Sequence, residues 1–587
     1  MKGIMRNKKS LLWLPVVLAM GALLLNACGR EADVTAFREK EALLRGEALA
    51  DWVLKELGTQ PAGEAGNAVL LSVCDGEKRA GICTGTADTP GDAWEEAARK
   101  AEAAVRAGLN PVWVRADVVY LSERVTAEQL DELLRTPESD DLHYGVALDA
   151  EFQTVLPETE LNGRQICDGA TGGVSLDRLN ACLERNGAKR VTALPEEYIL
   201  FQCAGWFCDE ADRISRLSAS GGSYGRRIGE NGEEKGGMDG TDAAGLALGA
   251  AACLEGLQRE DGSFAREILP DTGEEAKGED PGGQAAAIRA LLACRRLAPD
   301  QVSDEKIDRA VDYLLSRVVR ETPDRAYLIG EDAEEIRLGD SARAVMALAD
   351  YMETFENVEH MQVCRTLANG ILALLNRETG GYCQTLNPDF TRGKTGGEGD
   401  DGAAACALCR MYELTGEQDW LDAAQVAVYH FLEADYTDHW DMWVACTMNE
   451  ITRYVPDRAD YYVFALRNVQ ENRAQILEGP ASGKDLELLM ETFVMYDRIL
   501  QAGITVEQFD EEAFPEMAES VTGRLRDGYL YPEKAMYTAM PVRMRGAFLS
   551  GTPEAYIRVE DMSHAICGYA LYARYYDRLT ARMTPEA

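Results

Sequence analysis

From about residue 236 onward the chain repeats apolar stripes at helical spacing. Trp420, Ala424, Ala427 and Phe431, for example, recur every three or four residues, as on one buried face of a helix. Many of the helices are rich in small residues, which suits inner helices crowded by neighbours on every side. The helices paired with them are more charged, which suits an outer ring. The pattern predicts about twelve helices, at 241–258, 284–297, 303–320, 340–355, 360–377, 401–415, 418–435, 441–455, 458–474, 483–502, 511–526 and 563–579.

The turns between these helices repeat as well. A glycine followed by an aromatic residue comes after a helix at Gly262-Ser263-Phe264, Gly381-Tyr382 and Gly528-Tyr529. Glycine ends a helix in the left-handed conformation, and the aromatic side chain folds back over the helix end. Repeated helix pairs bury a continuous core by stacking on their neighbours. Twelve helices therefore favour six hairpins closed into an (α/α)6 toroid over an open solenoid.

The part of the chain before residue 215 has a different pattern. Val112, Val114, Ala116 and Val118 alternate with polar residues, which is typical of a half-buried strand. Asp75-Gly76 predicts a hairpin turn. We interpret this part as a small α+β domain. The predicted organisation is a signal peptide at 1–27, a linker with an N-terminal helix at 28–65, the α+β domain at 66–215 and the toroid domain at 216–587.

The N-terminus has the pattern of a lipoprotein signal peptide. Four basic residues precede the apolar run Leu11–Leu25, which is shorter than a membrane-spanning helix. Leu25-Asn26-Ala27-Cys28 resembles the bacterial lipobox, which implies lipidation of Cys28, for example by palmitate, after cleavage. We expect an exported protein, anchored by lipid at the outer face of the cell membrane.

Charge and cysteine content limit the partners and cofactors. The chain has 100 acidic and 60 basic residues, so we expect no binding to nucleic acid. Removal of residues 1–27 takes away only basic charges. Most of the 15 cysteines lie in apolar helical patterns. Two local disulfides are possible, Cys74–Cys83 and Cys203–Cys208. Cys406 and Cys409 lack the further ligands of a zinc site, and we expect no metal and no cofactor.

A resemblance adds to this interpretation. The run from Tyr412 to Ala424 (YELTGEQDWLDAA) resembles the helix–turn–helix junction of the six-hairpin toroid superfamily. That superfamily includes the N-acylglucosamine 2-epimerases, the unsaturated glucuronyl hydrolases and the uronyl epimerases. The resemblance covers roughly 236–580 and describes the turns. It implies a carbohydrate ligand at one end of the ring, while the catalytic histidines or aspartates of these enzymes do not match residue by residue.

Carboxylates recur at the starts of predicted helices, where a toroid gathers helix N-termini around one mouth. Such carboxylates can serve as general acid and base, or simply as helix caps. Histidines add titrating groups, aromatic residues can stack on a sugar or pack in turns, and arginines can neutralise a uronate or phosphate. The predicted catalytic residues are Asp239, Asp340, Asp400, His439, Asp561 and His564, and the predicted substrate-binding residues are Tyr382, Arg392, Trp440, Tyr529 and Arg558.

These features lead to one hypothesis and two alternatives. The leading hypothesis is a surface lipoprotein that modifies an envelope or extracellular polysaccharide as a glycoside hydrolase, lyase or sugar epimerase. The first alternative is a non-catalytic glycan-binding component of a surface polysaccharide assembly system, with envelope proteins bound through the α+β domain. The second is a scaffold whose central cavity is filled.

Overall fold

The computed structural model describes residues 31–48, 67–135, 144–149, 154–156, 166, 173–185, 188–217, 238–331, 333–393, 399–434, 441–504, 506, 509–510, 513–550 and 556–581. The predicted signal peptide (1–27) and Cys28 lie outside the described residues. The chain separates into two compact units, one made of 1–235 with 532–542 and the other of 236–531 with 543–587. Among the described helices, none is both long and apolar enough to cross a bilayer.

The first unit is built on an antiparallel sheet. Its strands are β1 (Asn67–Cys74), β2 (Gly81–Ala87), β3 (Trp113–Thr126), β4 (Tyr144–Ala147), β5 (Val155–Leu156), β6 (Glu197–Cys208) and β7 (Ile214–Leu217). The order is β2-β1-β3-β6-β4-β5, and β7 also pairs with β6. The helices are α1 (31–48), α2 (Pro90–Arg106), α3 (Ala127–Arg135) and α4 (Leu176–Arg185).

The alternating residues of β3 bury one face of the strand, as the sequence pattern predicts. Val114, Ala116 and Val118 of β3 lie in one apolar core together with Trp94 of α2 and Phe37 of α1. The β1–β2 hairpin forms with the predicted antiparallel pairing. An antiparallel sheet covered by helices confirms the small α+β part of the predicted fold.

The two disulfides considered from the sequence are absent among the described residues, and all four cysteines are free thiols. Cys83 faces Leu71 rather than Cys74 across the β1–β2 pair. Cys203 and Cys208 lie five residues apart on the single strand β6, so their side chains point to opposite faces of the sheet.

A short segment from late in the chain completes the first unit. Residues 532–542, which fall within the range predicted as toroid, begin with helix α17 (Pro532–Ala535). The backbone carbonyl of Glu533 accepts a hydrogen bond from Arg115, whose buried guanidinium also pairs with Asp117 at 2.9 Å. The Tyr537 hydroxyl donates to Ser72 at 2.8 Å.

The second unit is the helical ring. Its inner helices are α6 (Pro281–Leu297), α8 (Leu338–Thr354), α10 (Asp401–Thr415), α12 (Met442–Ile451), α15 (Gly483–Gln501) and α19 (Val559–Thr580). Its outer helices are α5 (Gly240–Leu257), α7 (Asp304–Ser316), α9 (Met361–Leu374), α11 (Gln418–Glu433), α13 (Ala459–Glu471) and α16 (Ala513–Asp527). Two shorter helices are α14 (Arg473–Glu478) and α18 (Pro541–Met544).

Each inner helix packs on the next, and α19 packs back on α6, so the ring is closed. The small residues allow this crowding. At Gly402 of α10, a Cβ atom would lie 2.7 Å from the backbone nitrogen of Val444 in α12, closer than real Cβ contacts come. The twelve predicted helices and the (α/α)6 toroid are confirmed.

Short strand pairs brace the loops that lead into the inner helices. They are β8 (Glu267–Ile268), β9 (Val318–Thr322), β10 (Arg325–Leu328), β11 (Ile336–Arg337), β12 (Thr385–Leu386) and β13 (Ile557–Arg558). β11 pairs with β12 just before α8, and β13 pairs with β8 just before α19. These pairs fix where the first residues of both inner helices lie.

Candidate functional site

A cavity of about 1230 Å³ opens among the loops and first turns of the inner helices. Residues at the starts of five of them line it: Asp280 and Pro281 before and in α6, Asp340 and Arg343 of α8, Asp400 before α10, Lys484 of α15 and Glu560 of α19. The inner helices therefore run parallel, with their N-termini at one mouth. Sixteen of the 24 lining residues are charged, nine acidic and seven basic.

Arg343 stands at the centre of the carboxylates in this mouth. Its Nη2 donates to Asp400 Oδ1 at 3.2 Å and lies 3.9 Å from Glu560 Oε1, while its Nη1 is 3.8 Å from Asp340 Oδ1. The guanidinium also lies over the Trp443 ring, with Arg343 Cζ 5.5 Å from the ring centroid. One cation thus gathers carboxylates from three different inner helices.

A glycine makes room for this group. The Gly339 Cα lies so near Asp400 that an added Cβ would collide with its carboxylate. Asp400 occupies the N-cap position of α10, yet its side chain makes no capping hydrogen bond. Its carboxylate therefore faces Arg343 and the cavity instead of the helix end.

Asp340 is held as a weak acid. Its side chain lies in the first turn of α8 and is 8% exposed. Burial, reinforced by the nearby carboxylates of Asp280 and Asp400, raises the pKa of Asp340 to about 7, although Arg343 acts in the opposite direction. A substantial fraction of Asp340 therefore carries a proton at neutral pH.

The pKa of Glu560 is shifted in the opposite direction. Burial opposes its ionisation, but the nearby His564, Arg343 and Lys484 outweigh burial and hold the pKa of Glu560 well below its usual range. Lys484 Nζ lies 3.2 Å from Glu560 Oε1. Glu560 is therefore a carboxylate throughout the physiological pH range.

His564 lies behind Glu560 and is 1% exposed. Its Nδ1 is 2.6 Å from Glu487 Oε2, and its Nε2 is 3.7 Å from Glu560 Oε1. Burial lowers the pKa of His564, but the Glu487 carboxylate outweighs burial and raises it. Since His564 does not reach the cavity surface, it acts on this site through Glu560.

The two shifted carboxyl groups define what this mouth can do. A protonated acid and a permanent carboxylate, with pKa values moved apart by their surroundings, are the pair needed for acid–base chemistry on a glycosidic bond. Asp340 can donate a proton. Glu560, which is a weak base, can act through its negative charge or as a nucleophile.

The predicted site residues separate into two groups. Asp340, Asp400 and Arg558 line the cavity, and Arg558 pairs with Glu267 at 2.8 Å. Asp561 lies one residue beyond Glu560 and is 3.6 Å from Arg558, outside the lining. His439, Trp440 and Cys28 lie outside the described residues.

The remaining predicted residues are placed elsewhere. Asp239 caps the outer helix α5 by accepting from the Asp242 backbone at 2.7 Å. The neighbouring Met238 carbonyl accepts from Tyr572, late in α19, so Asp239 lies at the end of the ring opposite to the mouth. Asp239 is therefore not among the residues that the structure brings together at the mouth, because helix starts alternate between the two ends of the ring.

The predicted tyrosine platforms and the second arginine also lie outside the lining. Tyr529 is buried and packs on Tyr531 and Phe548 in the turn after α16. Tyr382 is half-buried in the turn after α9. Arg392 is exposed, and its backbone forms an isolated antiparallel β-bridge with Leu386. For the tyrosines, the packing interpretation of the glycine–aromatic turns fits the structure.

Comparisons with known proteins give only distant similarities. No family model matches the chain, and no curated protein does. An inactive variant of an α-1,6-mannanase from Salegentibacter sp. HEL1_6, in complex with α-1,6-mannotriose, is 11% identical, with a TM-score of 0.41 over 57% of this chain and 99% of that one.

Two cellobiose 2-epimerases are similar to the same degree. The enzyme from Spirochaeta thermophila DSM 6192 is 15% identical, with a TM-score of 0.42 over 59% of this chain and 99% of its own. The enzyme from Bacillus thermoamylovorans B4167 is 11% identical, with a TM-score of 0.43 over 54% and 94%. The fold assignment therefore rests on the closed ring of helices itself.

Sequence reasoning did not identify the central cation. Arg343 follows Asp340 by three residues, so both lie on one face of α8. The same applies to Glu560 and His564, which are four residues apart on α19. A pair of titratable or charged residues at this spacing in the first two turns of an inner helix was the available signal.

Proposed function

We propose that the ring mouth acts on a glycan, with Asp340 as the general acid and Glu560 as the carboxylate that stabilises or attacks the sugar carbon. The observation that carries the proposal is the pair of opposite pKa shifts around Arg343. In such a reaction, Asp340 protonates the leaving oxygen. The Glu560 charge stabilises the positive charge that develops on the sugar ring.

The charges of the mouth bear on which glycan fits. The chain has a formal net charge of −40, which would repel an acidic polysaccharide. Seven basic side chains nevertheless line the cavity, among them Arg337, Lys484 and Arg558. The nine acidic side chains of the lining outnumber them by only two, which lowers the repulsion that an acidic sugar such as a uronate would meet there.

The location belongs to the same proposal. Lipidation at Cys28 would hold the protein at the outer face of the cell membrane, where envelope and extracellular polysaccharides are found. The α+β unit would then be available to bind envelope proteins. The lipobox is the observation that supports this part.

One observation favours a second candidate function, glycan binding without cleavage. Arg343 forms a hydrogen-bonded ion pair with Asp400 and lies near both other carboxylates. A mouth whose charges already satisfy one another can hold hydroxyl groups without transferring a proton. The two functions differ in whether a bond of the bound glycan breaks.

The test is an assay of the purified mature chain against a panel of neutral and acidic polysaccharides, with reducing ends and unsaturated products measured. If the enzyme proposal is correct, Asp340→Asn and Glu560→Gln each lower the turnover rate about 10²–10⁴-fold, while binding persists. Asp239→Asn is the matched control, because asparagine also caps a helix well and position 239 lies at the other end of the ring.

Binding without turnover by the unaltered chain would overturn the catalytic proposal in favour of the second function. Equal turnover by Asp340→Asn and by the unaltered chain would also overturn the assignment of the acid. Absence of both binding and turnover across the panel would refute both functions.

A further inference from the structure

A second cluster of reactive side chains lies inside the ring, deeper than the mouth. Cys446 of α12 faces Glu487 and Glu491 of the neighbouring inner helix α15. One ligand atom from each lies within 4.8 Å of the other two. Among the described residues, this is the one group of three or more such side chains with that convergence.

The spacing of the three residues explains why they converge. Glu487 and Glu491 are four residues apart and therefore lie on the same face of α15. Cys446 approaches that face from the adjacent inner helix, and its sulfur is otherwise in contact with the Met442 thioether at 3.5 Å. For a zinc ion to bind all three at the usual ligand distances of about 2.0–2.3 Å, these side chains would have to rotate toward one another.

Both carboxylates are held in the way that metal-binding carboxylates usually are. His564 Nδ1 lies 2.6 Å from Oε2 of Glu487, and Asn449 Nδ2 donates to Oε2 of Glu491 at 2.5 Å. In each case Oε2 is fixed by a neighbour, and Oε1 of Glu487 lies 3.6 Å from Arg289 Nη1, beyond hydrogen-bond distance. Such hydrogen bonds orient metal ligands and strengthen the site.

The charge of the surroundings agrees with a bound dication. A Cys446 thiolate with two carboxylates carries three negative charges. Arg289, whose Nη1 is 3.6 Å from Glu487 Oε1, supplies one positive charge. A dication, together with His564 Nδ1 at 2.6 Å from Glu487, would offset the remaining two. Arg289 donates its hydrogen bond to Asp350, at 3.1 Å from Nε to Oδ2. It therefore lies beside the cluster and does not occupy the space between the three ligand atoms.

We propose that Cys446, Glu487 and Glu491 bind one divalent transition-metal ion, and that the sulfur ligand selects zinc over magnesium or calcium. On binding, the Cys446 thiol releases its proton to solvent and the sulfur bonds to the metal. The ion cross-links α12 and α15 below the mouth. This site differs from the absence of metal expected from the sequence, and it does not depend on the proposed glycan chemistry.

The test measures metal on the full mature chain. The protein is treated with EDTA, dialysed, incubated with zinc and desalted, and its metal content is determined by mass spectrometry. We expect about one zinc per chain. Cobalt in place of zinc should give the near-ultraviolet absorption of a sulfur–cobalt bond, which carboxylates alone do not produce.

Variants identify the ligands. Cys446→Ala should abolish the cobalt–sulfur absorption and lower zinc retention at least tenfold, and Glu491→Gln, which changes shape little, should lower zinc retention similarly. Cys364→Ala is the matched control, because Cys364 is also a buried thiol but lies on the outer helix α9. Circular dichroism identifies any variant that fails to fold, and Glu491→Gln then decides the result.

Zinc at background level in the folded, unaltered chain would overturn the proposal. Equal retention by Cys446→Ala, Glu491→Gln and Cys364→Ala would do the same, since the ion would then be bound elsewhere.

Discussion

Asp340 should make the stability of the toroid depend on pH, and its replacement by asparagine should remove that dependence. The ordinary pKa of 3.8 rises to about 7 in the folded ring, chiefly because of burial. Between these two values the unfolded chain has released the proton and the folded chain still holds it. The folded state then binds more protons, so its stability falls as the pH rises from about 4 to about 7.

The magnitude follows from the shift. Each pKa unit corresponds to about 1.4 kcal/mol, so a shift of roughly three units amounts to about 4 kcal/mol at most. Asparagine has nearly the same shape and does not ionise. Relative to the unaltered protein, Asp340→Asn should therefore gain stability progressively from pH 4 to pH 7 and keep the full gain above pH 7.

The assay is urea unfolding followed by helical circular dichroism at several pH values between 4.5 and 8. The quantity of interest is the difference in unfolding free energy between Asp340→Asn and the unaltered chain. The same measurement on Asp239→Asn shows what replacing an exposed aspartate contributes. A difference that stays constant from pH 4.5 to pH 8 would refute the reasoning, because Asp340 would then not retain its proton in the folded ring.

Three other predictions follow from the lipobox and the mouth. Cys28→Ser should abolish metabolic labelling by a fatty acid and release the protein from the membrane, and undiminished labelling would contradict the lipid anchor. Gly339→Ala should lower the stability of the toroid by about 1–3 kcal/mol in urea or thermal unfolding, because the new methyl group collides with the Asp400 carboxylate. An unchanged unfolding transition would show that Asp400 moves aside freely. Lys484→Met removes a cation that lowers the pKa of Glu560, so the acidic limb of a pH–rate profile should move to higher pH. A limb that stays in place would remove Glu560 from the reaction.

The fold could be predicted from the sequence because the toroid is made of local patterns. Each of the twelve helices shows its own apolar stripe, and the small residues of α10 separate inner from outer helices. Closure of the ring could be inferred from the number of helical hairpins alone. The disulfides could not be inferred in the same way, since the spacing of Cys203 and Cys208 does not reveal that both lie on one strand.

The site was predicted less completely, for a physical reason. Asp239 and Asp340 look alike in the sequence, because each is an acidic residue at the start of a helix. One caps an outer helix at the far end of the ring, and the other is buried at the mouth. Only the alternation of helix direction, together with the position of Arg343, separates the capping aspartate from the acid.

The segment 532–542 determines when the first unit can finish folding. The β-sheet of that unit ends at residue 217, but the buried partners of Ser72 and Arg115, the Tyr537 hydroxyl and the Glu533 carbonyl, are synthesised more than 300 residues later. A ribosome that delivers the chain from its N-terminus therefore releases all seven strands of the sheet before these two partners. The first unit can complete these buried contacts only after residue 537 has emerged, when most of the toroid sequence has already been synthesised.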